Sequence, residues 1–112
     1  AVIEGRPHFH ISLVVDVAPF SDCHSENDAP TVPDIGMFAS FDPVALDQAC
    51  ADAVMRAPAA ENSLLFDKLS QGSSGCDHFH TVHPDTHWQV TLEHCEELGI
   101  GSRDYEILEV GV

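Results

Sequence analysis

Residues 8–17 read His-Phe-His-Ile-Ser-Leu-Val-Val-Asp-Val, an alternation that constrains the fold more than any other stretch of the chain. With the two-residue period of a strand, Phe9, Ile11, Leu13, Val15 and Val17 fall on one face. His8, His10, Ser12 and Asp16 share the other with Val14. The expectation is that the first face is core. The second either meets water, as one side of an antiparallel sheet commonly does, or lines a site.

The punctuation that follows sets the remaining elements. Residues 19–34 hold three prolines among Ser, Asp, Asn and Glu, which predicts a long ordered loop. Residues 35–40 read as a short buried strand. Asp42 then supplies a helix N-cap with Pro43 at the first helical position, and the helix runs to about Arg56. Its apolar positions Leu46, Ala49, Cys50, Ala53 and Val54 recur at helical spacing, Asp47 favours the positive end of the dipole, and Pro58 lies just beyond. Residues 61–69 form a weaker helix, broken by the polar link at 70–75. Thr86 with Gln89 has the pattern of a capping box, opening a helix in which Trp88, Leu92, Cys95 and Leu98 share a face and Gly99 is the C′ residue. Residues 105–110 are β-rich and read as a last strand.

The predicted fold is therefore α/β, a small mixed sheet of three or more strands covered by two or three helices, in a single domain over residues 1–112. In open α/β sheets ligands collect beyond the carboxyl ends of the strands, which singles out the 19–34 loop.

Composition narrows the function classes. The chain has 112 residues, 44% of them hydrophobic, enough for one core. Nineteen acidic against four basic residues give a net charge of −15. That charge repels phosphate backbones and anionic bilayers, so nucleic acid and membrane are excluded as partners; cations or a basic protein suit it better. No apolar run approaches the roughly 18 residues of a membrane span. The absence of an initiator Met and of a signal-peptide pattern predicts a fragment or processed product of something longer, and the apolar runs and cysteine usage predict a soluble, cytoplasmic chain. Cys23, Cys50, Cys76 and Cys95 are far apart with no C-x-x-C pair, which excludes an iron–sulfur cradle built from this chain alone. Reduced thiols are expected, with Cys50 and Cys95 as small core residues.

Several ordered strings resemble a known family. They are Val14-Val15-Asp16, Asp22-Cys23, the run Val32-Pro33-Asp34-Ile35-Gly36-Met37-Phe38-Ala39-Ser40, Asp42-Pro43-Val44-Ala45-Leu46-Asp47, Trp88, and residues 97–106. Together they resemble the uncharacterised proteins grouped as domain of unknown function family 362, over nearly the whole chain and as the carboxyl-terminal part of longer members. The resemblance implies a parent with a ferredoxin-like segment and iron–sulfur-linked redox chemistry, the cluster belonging to that parent. Where family members often carry Cys-Asp-Cys, this chain has Ser21-Asp22-Cys23, with His24 following as an alternative nitrogen ligand.

Three functions from different classes fit these residues. The first is a mononuclear zinc or iron site of Asp22, Cys23 and His24 with Asp34, completed by Asp16 or the His8/His10 pair, since mixed sulfur, nitrogen and oxygen donors suit those metals. His10 and Asp16 are the candidate substrate-binding residues on the same strand. A separate ligand run is His78, His80 and His83 beside Cys76, where His-x-His in an extended segment puts both rings on one side; the alternative is that one or two of these rings make hydrogen bonds and the rest are solvated. The second is an enzyme with Cys23 as nucleophile beside His24 and Asp16, Asp34, Asp42 or Asp47 as acid or base. No phosphate loop, serine elbow or His-Glu-x-x-His motif accompanies it. The third is a non-catalytic module that docks on the rest of a parent chain, on a redox partner or on a second copy through an exposed apolar sheet face.

Overall fold

The computed structural model describes residues 2, 4–20, 25, 28–72 and 77–111. Two strands, β1 (His10–Val14) and β2 (Gly36–Ser40), form an antiparallel pair in which His10 faces Ser40, Ser12 faces Phe38 and Val14 faces Gly36. Among the described residues four helices follow: α1 (Pro43–Arg56), α2 (Leu64–Ser70), α3 (His78–Val82) and α4 (Gln89–Glu97). None is long and apolar enough to cross a membrane among the described residues.

Helix α1 forms where its local chemistry demands. Asp42 Oδ1 accepts the Val44 and Ala45 amides at 2.9 and 3.1 Å, Pro43 fits the first turn, and the chain leaves helical geometry at Ala57, just before Pro58. The inner side buries Val44, Ala45, Leu46, Ala49, Ala53 and Val54 and packs on both strands and on α4. The first turn contains no acidic residue, so Asp47 is not the dipole partner the sequence predicts. It lies near His10 of β1 instead; partial burial raises its pKa and His10 acts the other way.

The main core joins Val14, Val32, Val54, Leu65 and Val82, with Ile35, Phe38 and Phe79 against it. The return of the long loop is part of this core, because Thr31 donates both its amide and its hydroxyl to the Val17 carbonyl and accepts the Ala60 amide. At α2, Ser63 is the cap: its Oγ accepts the Phe66 amide at 3.1 Å and donates to the Ala60 carbonyl at 2.6 Å. Lys68 reaches across to the Val82 carbonyl, tying α2 to α3.

Three sequence expectations are corrected. Among the described residues the sheet has two strands rather than three or more, because residues 105–110 join no ladder there and lie exposed apart from Tyr105. The pair is antiparallel, so the rule placing ligands at the carboxyl ends of parallel strands does not apply to the 19–34 loop. The capping box at Thr86 does not form. Thr86 donates to the His83 carbonyl, Gln89 to Asp77, and α4 has Trp88 at its N-cap with no side-chain capping bond. Gly99 does close α4 at φ +75°, with the Ile100 amide reaching Cys95 and the Gly99 amide reaching Glu96, the two bonds of a Schellman turn. Leu98 is nevertheless exposed, so the predicted apolar face of α4 reduces to Leu92 and the half-buried Trp88 and Cys95.

Candidate functional site

The sheet presents the opposite face to the helices from the one its alternation predicts. Val14 is 6% exposed and enters the core, while Ile11 and Leu13 are 60% and 65% exposed. Their partners in register, Ala39 and Met37, share that outer face, and Met37 is 67% exposed. Phe9 and Phe41 extend it, their ring centroids 4.9 Å apart, and Val15 continues it at the other end. Helix α1 covers the other face, where His10 and Ser12 are half-buried beside Asp47 and Cys50. Burial raises the Cys50 thiol, a hydrogen bond with Ser12 lowers it and Asp47 raises it further; Cys50 and Cys95 are free thiols.

The physical cause lies in long-range packing. Both faces of this pair carry apolar side chains, and Val14 and Phe38 fix which one meets the core with Val32. Since a strand's side chains alternate, that choice commits every neighbour, and Phe9, Ile11, Leu13 and Val15 turn outward together. The result is a continuous apolar strip of Phe9, Ile11, Leu13, Val15, Met37, Ala39 and Phe41 with no charged side chain in it, on a chain of net charge −15.

The residues singled out in the sequence are not assembled into one site. Asp22, Cys23 and His24 lie outside the described residues. Asp34 accepts the Asp16 amide through Oδ1 at 2.8 Å, and Asp16 has φ +49°, a left-handed geometry that Asp tolerates better than most residues. The contact pins a turn at the Val14 end of β1. His10 is at the other end, about 13 Å away at the rise of a strand, where its Nε2 lies 2.7 Å from His8 Nδ1. His10 and Asp16 therefore stand at opposite ends of β1.

The histidine run is corrected as well. Residues 78–82 are helical, so His78 and His80 point about 200° apart instead of to one side. Each ring contacts a different backbone carbonyl: His78 Nε2 lies 2.8 Å from Ala57 O, His80 Nδ1 3.2 Å from Thr86 O, and His83 Nε2 2.5 Å from Pro19 O. Among the described residues no group of three or more His, Cys, Asp or Glu is placed to hold a metal ion.

Asp77 organises this corner and was not singled out by the sequence. Its Oδ1 accepts the His80 amide at 3.0 Å, and its Oδ2 accepts Trp88 Nε1 and Gln89 Nε2, each at 2.9 Å. Burial pushes the carboxyl up, but these bonds outweigh it and leave the pKa below its ordinary value. The available signal was an Asp three residues before a histidine, the ordinary spacing of an N-cap.

Residues 1–52 match the family model described as Domain of unknown function (DUF362). The match lies in the amino-terminal part of this chain and includes both strands and the start of α1. Trp88 and residues 97–106 fall outside it, so the likeness covers less of the chain than those strings suggest, and the carboxyl-terminal placement does not describe it. Comparison with the curated proteins gave no match, and comparison with the solved structures gave none either.

Proposed function

We propose, from the premise that residues 1–52 match this uncharacterised family, that the chain is an interaction module whose β1–β2 face docks on a separate polypeptide. The observation that carries this reading is the uncharged strip of Phe9, Ile11, Leu13, Val15, Met37 and Phe41 on the side of the sheet away from the helices. Monomeric proteins seldom leave a contiguous apolar patch of this kind without a partner for it. The partner is net basic, because the chain's charge of −15 around the strip draws a cationic surface to it and disfavours a second, equally acidic copy.

The size of the face bears on how such a partner binds. Full burial of a large apolar side chain is worth about 1.5–3 kcal/mol, and five of them here are more than half exposed, so on the order of 5 kcal/mol of gross burial remains to be gained. Association costs about 4–15 kcal/mol in lost translational and rotational freedom. The strip supplies part of an interface, and further contacts must add to it.

A photo-cross-linking residue placed at Leu13 or Met37 in living cells tests the reading. The expected result is one discrete adduct with a basic polypeptide from either position, and none from the exposed Val90 of α4. Equal labelling from Val90, or adducts with the chain's own copy alone, would refute it.

A further inference from the structure

We infer that a groove beside β2 receives an extended, Lys- or Arg-bearing strand of the partner polypeptide, which pairs with β2 on one side and with residues 106–110 on the other. The inference rests on the docking role proposed above and names the form in which the partner arrives. The groove has a volume of about 1000 Å³, with β2 along one wall and residues 105–110 along the other. Its floor is the small-residue side of α1, including Ala49 and Ala53.

Both walls offer backbone. Among the described residues β2 pairs with β1 alone, so its second edge carries N–H and C=O groups with no ladder partner there. Residues 106–110 engage in no backbone hydrogen bond among the described residues. Yet Glu106-Ile107-Leu108-Glu109-Val110 has strand-like composition, and its start is anchored where the Tyr105 hydroxyl donates to Asp52 Oδ2 of α1 at 2.6 Å. Two unpaired edges facing one groove demand a ligand with donors and acceptors on both its own edges, and an extended polypeptide is that ligand. The five residues of β2 give an edge of about 17 Å, which suits an inserted strand of five or six residues.

Charge selects the strand's chemistry. Glu106 and Glu109 on the outer wall outnumber the single Arg56 near the floor, within a chain of charge −15. A basic strand fits, and a strand from a second copy does not, because this chain's own spare β segment is already the groove's wall.

The probe is a nine-residue peptide alternating valine and threonine with lysine at each end, titrated into the full chain while amide exchange is read by NMR. Binding is expected with slowed exchange at both 36–40 and 106–110. The same peptide methylated at every second amide should bind about tenfold more weakly or worse, since it lacks half its donors. Leu108→Pro should weaken binding by a similar factor with no change in circular dichroism or melting temperature, because the Leu108 amide has no partner to lose. No binding at millimolar peptide, equal binding of the methylated peptide, protection confined to β2, or a dimer exchanging residues 105–110 would each overturn the inference. If such a result comes with a discrete basic adduct at Met37, the strand fails and the docking face stands; if the adduct is also missing, both fail.

Discussion

Replacing Val14 and Leu13 in turn by alanine separates the two faces of β1 and measures which one the fold uses. Val14 is 6% exposed, so removing its two methyl groups forfeits about 1.6 kcal/mol of transfer free energy, and the cavity left between Val32 and Leu65 raises the cost to about 2 kcal/mol or more. Leu13 is 65% exposed. Its truncation removes three carbons worth about 2.4 kcal/mol when fully buried, but only about a third of that is realised, giving about 0.8 kcal/mol. Urea unfolding followed by circular dichroism reads both values, provided the m-value is unchanged. The expected order is Val14→Ala more destabilising than Leu13→Ala by about 1 kcal/mol. The alternation taken alone predicts the reverse order, and that result would refute the orientation of the sheet.

Two other perturbations test the framework behind the face. A Cβ at Gly101 would overlap the Asp42 carboxylate, whose Oδ2 also accepts the Ser102 amide at 2.9 Å, so Gly101→Ala should disrupt the α1 cap and cost at least about 1 kcal/mol. In an Asp42→Ala background the same change should cost little, and additive effects in that cycle would show that the two do not collide. Asp77→Asn should destabilise by about 1 kcal/mol at neutral pH through its weakened bonds to Trp88, Gln89 and the His80 amide. Because the folded pKa of Asp77 lies below its ordinary value of 3.8, its contribution is present above that pH and lost as pH falls through the folded value. The variant should therefore show a shallower loss of stability below about pH 4, and an unchanged acid limb would remove Asp77 from the account.

What the sequence made legible were elements whose signals are local. Asp42 and Pro43 start α1 through a carboxylate and a fixed φ that act within one turn, and Gly99 ends α4 through a left-handed residue. The two strands are also readable from period and composition. The face they bury is not, because alternation gives the period while the choice of face depends on Val32 and Val54, distant in sequence from β1. The histidine run misled for a related reason: its helix depends on the Asp77 cap, and Asp77 in turn depends on Trp88 and Gln89. Residues 105–110 have the composition of a strand without a neighbouring edge to complete it. Of the candidate site residues, Asp16 and Asp34 do meet, through a hydrogen bond from the Asp16 amide to the Asp34 carboxylate across 18 residues of sequence.

The most direct test of the exposed sheet face is methyl NMR of the free chain with a soluble paramagnetic agent. An outward-facing strip should give strong broadening at the Ile11, Leu13 and Met37 methyls and little at Val14, Val32 and Leu65. Protection of Ile11, Leu13 and Met37 in a monomer, with broadening at Val14, would contradict it.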